Sequence, residues 1–303
     1  MNRRLNKRGV TEKLFWCLLV APSVLIITLF ILVPIVDSIL KSFTAYKLAN
    51  IIKGTTPKWN DFANYIKLFE SGVLTESVGI TFKFVLITTT LSLVIGMTLA
   101  LILNSDIKGA RLFRSIMMTP WVVPTVISAL VWIWIYQPQY GLFRYIVNLV
   151  TFGRVNDFAM LNSSKTALTG VILVALWKQI PLMTLLLLAG LQNVPNDILE
   201  AARLDGANGV QGFFKITVPY MSSVIQTSVS MTIIDNFKQF PLFWQMTSGG
   251  PNGSTTTLAV LSYKEAFIKH NFGSGAAVTT IWMLLMILFV FFYNKIFPKV
   301  DME

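Results

Sequence analysis

Six long apolar runs dominate this sequence, near residues 14–36, 78–103, 116–137, 167–191, 219–243 and 274–297. A helix needs about 20 apolar residues to cross the roughly 30 Å hydrocarbon core of a bilayer. No water is present there to satisfy backbone N–H and C=O groups, so only helices or closed barrels span it. Each run is far too long for a barrel strand. The runs therefore predict an all-α membrane protein with six transmembrane helices. Composition agrees, since 54% of the 303 residues are hydrophobic and only 13% are charged. Soluble domains carry about a quarter charged residues.

Arg3, Arg4, Lys7, Arg8 and Lys13 precede the first run. Basic residues flanking a first span stay in the cytoplasm. Six spans then return the C-terminus, with Lys295 and Lys299, to the same side. The first run is too long for the apolar part of a secretory signal, and no small-x-small cleavage site follows it, so it reads as an uncleaved, peripheral anchor. The expected organisation is a cytoplasmic segment at 1–13, a first helix and outer loop at 14–72, a five-helix core at 73–297 and a cytoplasmic tail at 298–303. Trp132, Trp134 and Tyr136 end the third run as an interfacial aromatic belt would. Gly96 and Ala100 form a small-xxx-small pair that suits either close helix packing or a lipid-facing patch.

The formal charge is +11. The basic residues are scattered between apolar runs, which suits anionic lipid headgroups and not a nucleic acid partner. Cys17 and His270 are the sole residues of their types. Together they argue against zinc catalysis and against Cys/His or Ser/His nucleophilic chemistry. The stretch from Gly209 to Lys215 lacks the spacing and terminal hydroxyl of a phosphate-binding loop. No cofactor is expected on this chain, and any nucleotide that powers it must sit on another.

Two segments remain polar where the pattern gives no structural need. The connection at 193–219 offers Asn196 as a helix N-cap, with Asp197 and Glu200 in the first turn. Ile198, Leu199, Ala202 and Leu204 can supply apolar contacts. Asp205-Gly206 reads as a helix stop, and Phe213, Phe214 and Ile216 belong to a second amphipathic piece. A solvated loop and a helix lying in a partner's groove both fit; the small side chains of Ala201 and Ala202 admit a close surface.

The fifth run carries Ser228, Thr232, Asp235, Asn236 and Gln239 at spacings that share one helical face. The fourth carries Lys178 and Gln179 just before Pro181. A charge at mid-membrane costs roughly 2.5–3.5 kcal/mol on insertion scales, so these groups must meet each other or a cavity. One reading pairs Asp235 with Lys238 or Lys178. The other is a hydrophilic lining for a solute whose hydroxyls need both donors and acceptors. Phe240, Phe243 and Trp244 suit packing or stacking on a sugar ring.

Glu200-Ala201-Ala202, Asp205-Gly206-Ala207, Ile216 and Pro219 resemble the EAA loop of binding-protein-dependent ABC transporter permeases. Thr247-Ser248-Gly249-Gly250-Pro251, Ser254 to Thr257, Tyr263 and Ala266-Phe267 resemble the outer loop of the carbohydrate branch, where glycine often stands at Ser248. Phe62-Ala63-Asn64-Tyr65 adds a weaker match. The resemblance covers residues 60 to 297. It implies a heterodimer with a second homologous permease, two ATPase subunits that hold ATP and Mg, an extracytoplasmic solute-binding protein and a sugar substrate. Glycerol-phosphate or a polyol is the alternative cargo, and a stand-alone secondary carrier the alternative class. By the same resemblance Glu200, Ala201, Ala202, Asp205, Gly206, Ala207 and Pro219 contact the ATPase. Maltose-type relatives place sugar contacts at positions like Lys178, Gln179, Leu182, Thr232, Asp235 and Asn236. Of these Asn236 matches in residue type, and Lys178 and Asp235 do not.

Overall fold

The computed structural model describes residues 2–105, 108–153 and 159–297, with side chains from Phe15 onward. The expected tail at 298–303, with Lys299, lies outside the described residues, as do the side chains of the basic N-terminal segment. Helices make up the architecture, and the described residues contain no strand. Two isolated bridges, Thr44 with Trp59 and Lys47 with Asn271, are the β pairing among them. The chain divides into two units, one of residues 1–70 with Lys264–Thr280, the other of Ser71–Tyr263 with residues 281–303.

In the first unit α1 (Phe15–Ser42) is one apolar helix whose most hydrophobic stretch has no buried residue. It runs past residue 36, where the first span was expected to end. Its backbone widens into a π-helical turn at Thr28–Leu32, where the N–H of Val33 reaches the carbonyl of Thr28. Pro34 follows, and its missing N–H leaves the carbonyl of Phe30 without a helical donor. The supposed loop after α1 is ordered. It includes a short helix at Leu48–Lys53 and α2 (Ala63–Glu70). Asn64, the third residue of the Phe62–Tyr65 match, explains that motif. Its amide donates to the carbonyls of Ser42 and Thr44 at 2.8 and 3.0 Å. The hydroxyls of Tyr65 and Ser42 meet at 2.6 Å. Buried Glu265 accepts from Lys269 Nζ at 2.6 Å and from Ser274 Oγ at 2.9 Å, so its desolvated charge is matched.

The second unit begins with α3 (Val73–Asn104), followed by α4 (Ala110–Val122) and α5 (Thr125–Ile135). Then come α6 (Leu142–Val150), α7 (Ala167–Gln192) and α8 (Asn196–Leu204). It closes with α9 (Ser222–Phe237), α10 (Pro241–Thr247), α11 (Leu258–Tyr263) and the end of α12 (Phe272–Ile296). α7 packs chiefly on α3 and also on α9 and α10. Gly96 permits that approach: a Cβ there would lie 2.8 Å from Met183 Cγ on α7. Ala100, one turn on, is fully buried, so the small-xxx-small pair is a packing seam. Phe84 and Phe243, both fully buried, meet edge to face at 4.7 Å. Such pairs add about 0.5–1.5 kcal/mol beyond burial.

α1, α3, α7 and α12 are each long and apolar enough to cross a membrane. The third expected span is instead a bent pair, α4 and α5, turning by 95° at Val123 and Pro124. Pro124 cannot donate a backbone N–H, and Val123 before it takes the extended conformation that a following proline favours, so the helix breaks here. The fifth expected span divides as well. α9 has only 16 residues and ends at Phe237, and α10 starts after an interruption. The aromatic belt is only partly a belt. Trp134 is 72% exposed, whereas Tyr136 is buried and donates to the Gly170 carbonyl at 3.2 Å. Trp132 packs on Trp177 with ring centres 5.7 Å apart.

Candidate functional site

The segment at 193–219 is built from standard helix signals, with one displacement. Pro195, not Asn196, occupies the N-cap of α8, and Asn196 is the first helical residue. Asp197 lies in the first turn and Arg203 in the last, each complementing the helix dipole. The C-terminus closes as a Schellman turn. The N–H of Ala207 reaches the Ala202 carbonyl at 2.9 Å and that of Gly206 reaches Arg203 at 3.1 Å. Gly206 supplies the left-handed residue, at φ +87°, and nothing lies within 4 Å of the position a Cβ would take. Asn208 then caps the next turn, trading bonds with Gln211 at 2.8 and 3.0 Å. A second π-helical turn, Phe213–Thr217, stands before Pro219 as the first stands before Pro34.

Glu200, Ala201 and Asp205 are exposed, and Ala202 and Ala207 are half-buried. Of the residues expected to make apolar contacts, Leu199 packs against the core. Leu204 does not, being 89% exposed. Val210 and Phe214 protrude similarly at 67% and 64%. The charged side chains of Glu200, Arg203 and Asp205 are exposed on the same short helix and its C-cap.

The polar residues of α7 and α9 separate into three environments. Lys178 is buried and turns toward α4 and α5, donating to the Val123 carbonyl at 2.5 Å. Gln179 donates to Asn236 Oδ1 at 2.6 Å, and Asn236 donates to Thr89 Oγ1 at 3.1 Å. This chain ties α7, α9 and α3 together, and leaves Gln179 Oε1 buried without a partner. Gln179, Leu182, Thr232 and Asp235 line a cavity of about 70 Å³ with Ser228 and Trp121. Four of the seven expected pathway residues therefore meet in one place. Lys178 and Asn236 stand behind that surface. Gln239 falls off it because α9 ends two residues earlier, with Lys238 at its C-cap.

Asp235 pairs with Lys238 at 3.3 Å, and both side chains are more than half exposed, so the pair contributes about 0–1 kcal/mol. Among the described residues no ion pair includes Lys178. Phe240 stacks on Trp244 at 5.7 Å, and both touch Tyr263, which makes this cluster packing. Sequence reasoning missed Thr89. The signal for it is the run of three threonines at 88–90 in the middle of a long, mainly apolar helix.

The loop after α10 is a knot of backbone turns. Thr255 Oγ1 donates to the Gly250 carbonyl at 2.8 Å and meets Thr247 Oγ1 at 2.7 Å; Thr256 Oγ1 donates to Gly249 at 2.9 Å. Gly249 has φ +85° and the Gly250–Pro251 bond is cis. Ser248 has φ +47°, in the left-handed region that glycine enters without steric cost. That accounts for the glycine often found there.

The described residues are helical, and four helices are long and apolar enough to cross a membrane, the make-up of a multi-pass membrane protein. The chain belongs to the family of binding-protein-dependent transport system inner membrane components, whose model matches residues 92–302. It is thus a permease component of an ABC importer. The trehalose/maltose transport system permease protein MalF of Thermococcus litoralis is 30% identical, covering 97% of both chains. The sn-glycerol-3-phosphate permease UgpA of Escherichia coli O157:H7 is also 30% identical, over 89% of this chain and 90% of its own. Sulfoquinovosyl glycerol permease SmoG of Agrobacterium fabrum is 29% identical over 96% and 92%. Among solved structures, a chain of a bacterial alginate ABC transporter, crystallised with its pentasaccharide-bound periplasmic protein, matches with a TM-score of 0.80. It is 16% identical and 99% of each chain is covered, a likeness of fold.

Proposed function

We propose that this chain is one of two homologous permease subunits of a sugar importer in the bacterial cytoplasmic membrane, with six spans and both termini inside. In this reading α9 and α10 together make the fifth crossing, and the bent pair α4–α5 makes the third. The chain has no catalytic role. Two ATPase subunits hold ATP and Mg, and an extracytoplasmic binding protein delivers the solute. Glu200, Ala201, Ala202, Asp205, Gly206, Ala207 and Pro219 transmit closure of the ATPase pair to α7 and α9, which alternately open the path to either side.

One observation carries this reading. α8 leaves its Glu200–Ala201 face and the Leu204 tip uncovered, and the Gly206 turn stands in open space. A helix that only joined two spans would need neither. The surface of Gln179, Leu182, Thr232 and Asp235 fits a solute rich in hydroxyls, because it offers an amide, a hydroxyl and a carboxylate. Its cavity of about 70 Å³ falls far short of the roughly 300–1,000 Å³ of ligand sites. The chain therefore furnishes one wall, which the second permease completes.

The test is reconstitution of the whole complex with Ala201→Cys. Disulfide crosslinking to an ATPase subunit carrying cysteines in its permease-facing cleft is expected, together with uptake that requires ATP and binding protein. Solute stimulation by maltose-type sugars and not by glycerol-phosphate identifies the cargo class. Uptake by the isolated chain driven by an ion gradient, without nucleotide, would replace this reading with a secondary carrier.

A further inference from the structure

The break between α4 and α5 creates an unusual demand. Within a helix the carbonyl of residue 120 accepts from the N–H of residue 124, and here residue 124 is a proline with no N–H. Val123 leaves the helical conformation, at φ −63° and ψ 129°, so its carbonyl also points away from any helical donor. In a membrane such groups need partners within the protein. Ser128 takes care of its own turn: its N–H and hydroxyl both reach the Pro124 carbonyl, at 3.0 and 3.2 Å. Of the carbonyls that the break leaves without a helical donor, those of Pro120 and Val123 find one on a side chain.

Lys178 supplies them. Its Nζ donates to Val123 at 2.5 Å and to Pro120 at 3.4 Å, with Ser128 Oγ completing the set at 3.3 Å. An ammonium has three donors and no acceptor capacity, so three oxygens exhaust it. Ser128 is fully buried and Lys178 nearly so. Among the described residues no ion pair includes this ammonium, and the oxygens around one broken turn solvate it in place of water. On its own helix the next residue, Gln179, faces the cavity, and so does Trp121 from the broken helix.

We propose that Lys178 is a positioning residue of transport, an ammonium pin that holds the α4–α5 break against α7, and does not touch the solute. α7 leads directly into the 193–219 segment, so the pin makes the bend follow α7 when that segment is moved. Removing it leaves the bend and α7 to move independently, and Trp121 no longer tracks Gln179. The inference rests on the importer reading for its readout, but its outcomes differ from those that would refute that reading.

The experiment uses the complete complex in proteoliposomes, with Lys178→Met and the milder Lys178→Gln, whose amide keeps two donors. Uptake is measured against concentration of the solute-loaded binding protein and of free solute. Expected for Lys178→Met is a turnover lowered about tenfold or more at unchanged KM, with ATP hydrolysis retained, and a smaller loss for Lys178→Gln. A second readout places Trp121→Cys in a Cys17→Ser background and follows maleimide labelling. The labelling rate should depend on nucleotide with Lys178 present and lose that dependence in Lys178→Met. A raised KM at unchanged turnover would make Lys178 a solute ligand and overturn the proposal. So would uptake equal to the native complex in both variants. Failure of both variants to assemble would assign Lys178 to folding alone and likewise end the proposed role. Loss of ATP dependence in the native complex would instead refute the importer reading.

Discussion

Replacement of Gly206 is the sharpest probe of the 193–219 segment, because its cost separates cleanly into a backbone part and a packing part. The packing part is absent, since no atom lies within 4 Å of a built Cβ. The backbone part comes from φ +87°. An L-residue held in the left-handed region costs about 1–2 kcal/mol, and a β-branched one tends toward about 3 kcal/mol. A variant can escape the strain only by abandoning the Schellman turn. It then loses the Ala207–Ala202 and Gly206–Arg203 bonds of 2.9 and 3.1 Å, each worth about 0.5–1.5 kcal/mol net. Either route costs about 1–3 kcal/mol, borne by an exposed turn and not by the α3–α7 seam. The complex should therefore assemble while the direction in which the chain leaves α8 changes. Gly206→Val is expected to purify with its partners in normal amount, keep basal ATP hydrolysis and lose about tenfold or more of binding-protein-stimulated uptake. Gly206→Asn, which tolerates the left-handed region, should fall between native and Val. The assays are co-purification, ATPase rate and uptake on the same reconstituted sample. Native uptake by a normally assembled Gly206→Val complex would refute the reasoning, as would an Asn variant as impaired as Val.

Asp235→Ala should leave thermal stability almost unchanged, because its ion pair with Lys238 is exposed, while altering uptake rate or solute preference; a drop in expression alone would make the residue structural. Asn236→Leu removes both bonds of the Gln179–Asn236–Thr89 chain. Membrane hydrogen bonds average about 0.6 kcal/mol and reach about 1.7, so a loss of about 1–3 kcal/mol is expected, read as a lowered melting midpoint in detergent. Gly96→Leu forces a side chain into Met183, where even a Cβ would sit at 2.8 Å. Overpacking of this kind costs about 1–3 kcal/mol, and Gly96→Ala should be milder than Gly96→Leu in the same melting assay.

The apolar runs revealed the helical class because length against bilayer thickness is a one-dimensional property. Where the helices break was partly legible. Pro124 was visible in the third run, but a proline can kink a helix or end it, and the 95° turn depends on oxygens that find Lys178 from 50 residues or more away. The stop at Asp205-Gly206 was readable because a Schellman turn is local. The N-cap was misplaced by one residue, since Asn196 is a good cap by type but Pro195, at φ −63° and ψ 132°, already holds the extended conformation of a cap. Periodicity grouped Gln239 with Asp235, and failed there because it presumes that α9 continues. It also could not say that Lys178 and Gln179 point into different surroundings, since one step along a helix turns a side chain by about 100°.

The geometry of the 193–219 segment is specified by very few residues: Gly206 ends α8 through its backbone, and Asn208 with Gln211 starts the next helical turn. Glu200, Ala201 and Leu204 point outward and hold none of those bonds. If these exposed residues make the proposed ATPase contact, shape and recognition are written in separate letters. That contact surface could then be rewritten to suit a different motor while the scaffold that presents it stays as it is, so exchanging a handful of exposed residues would be a route to re-pairing such subunits by design.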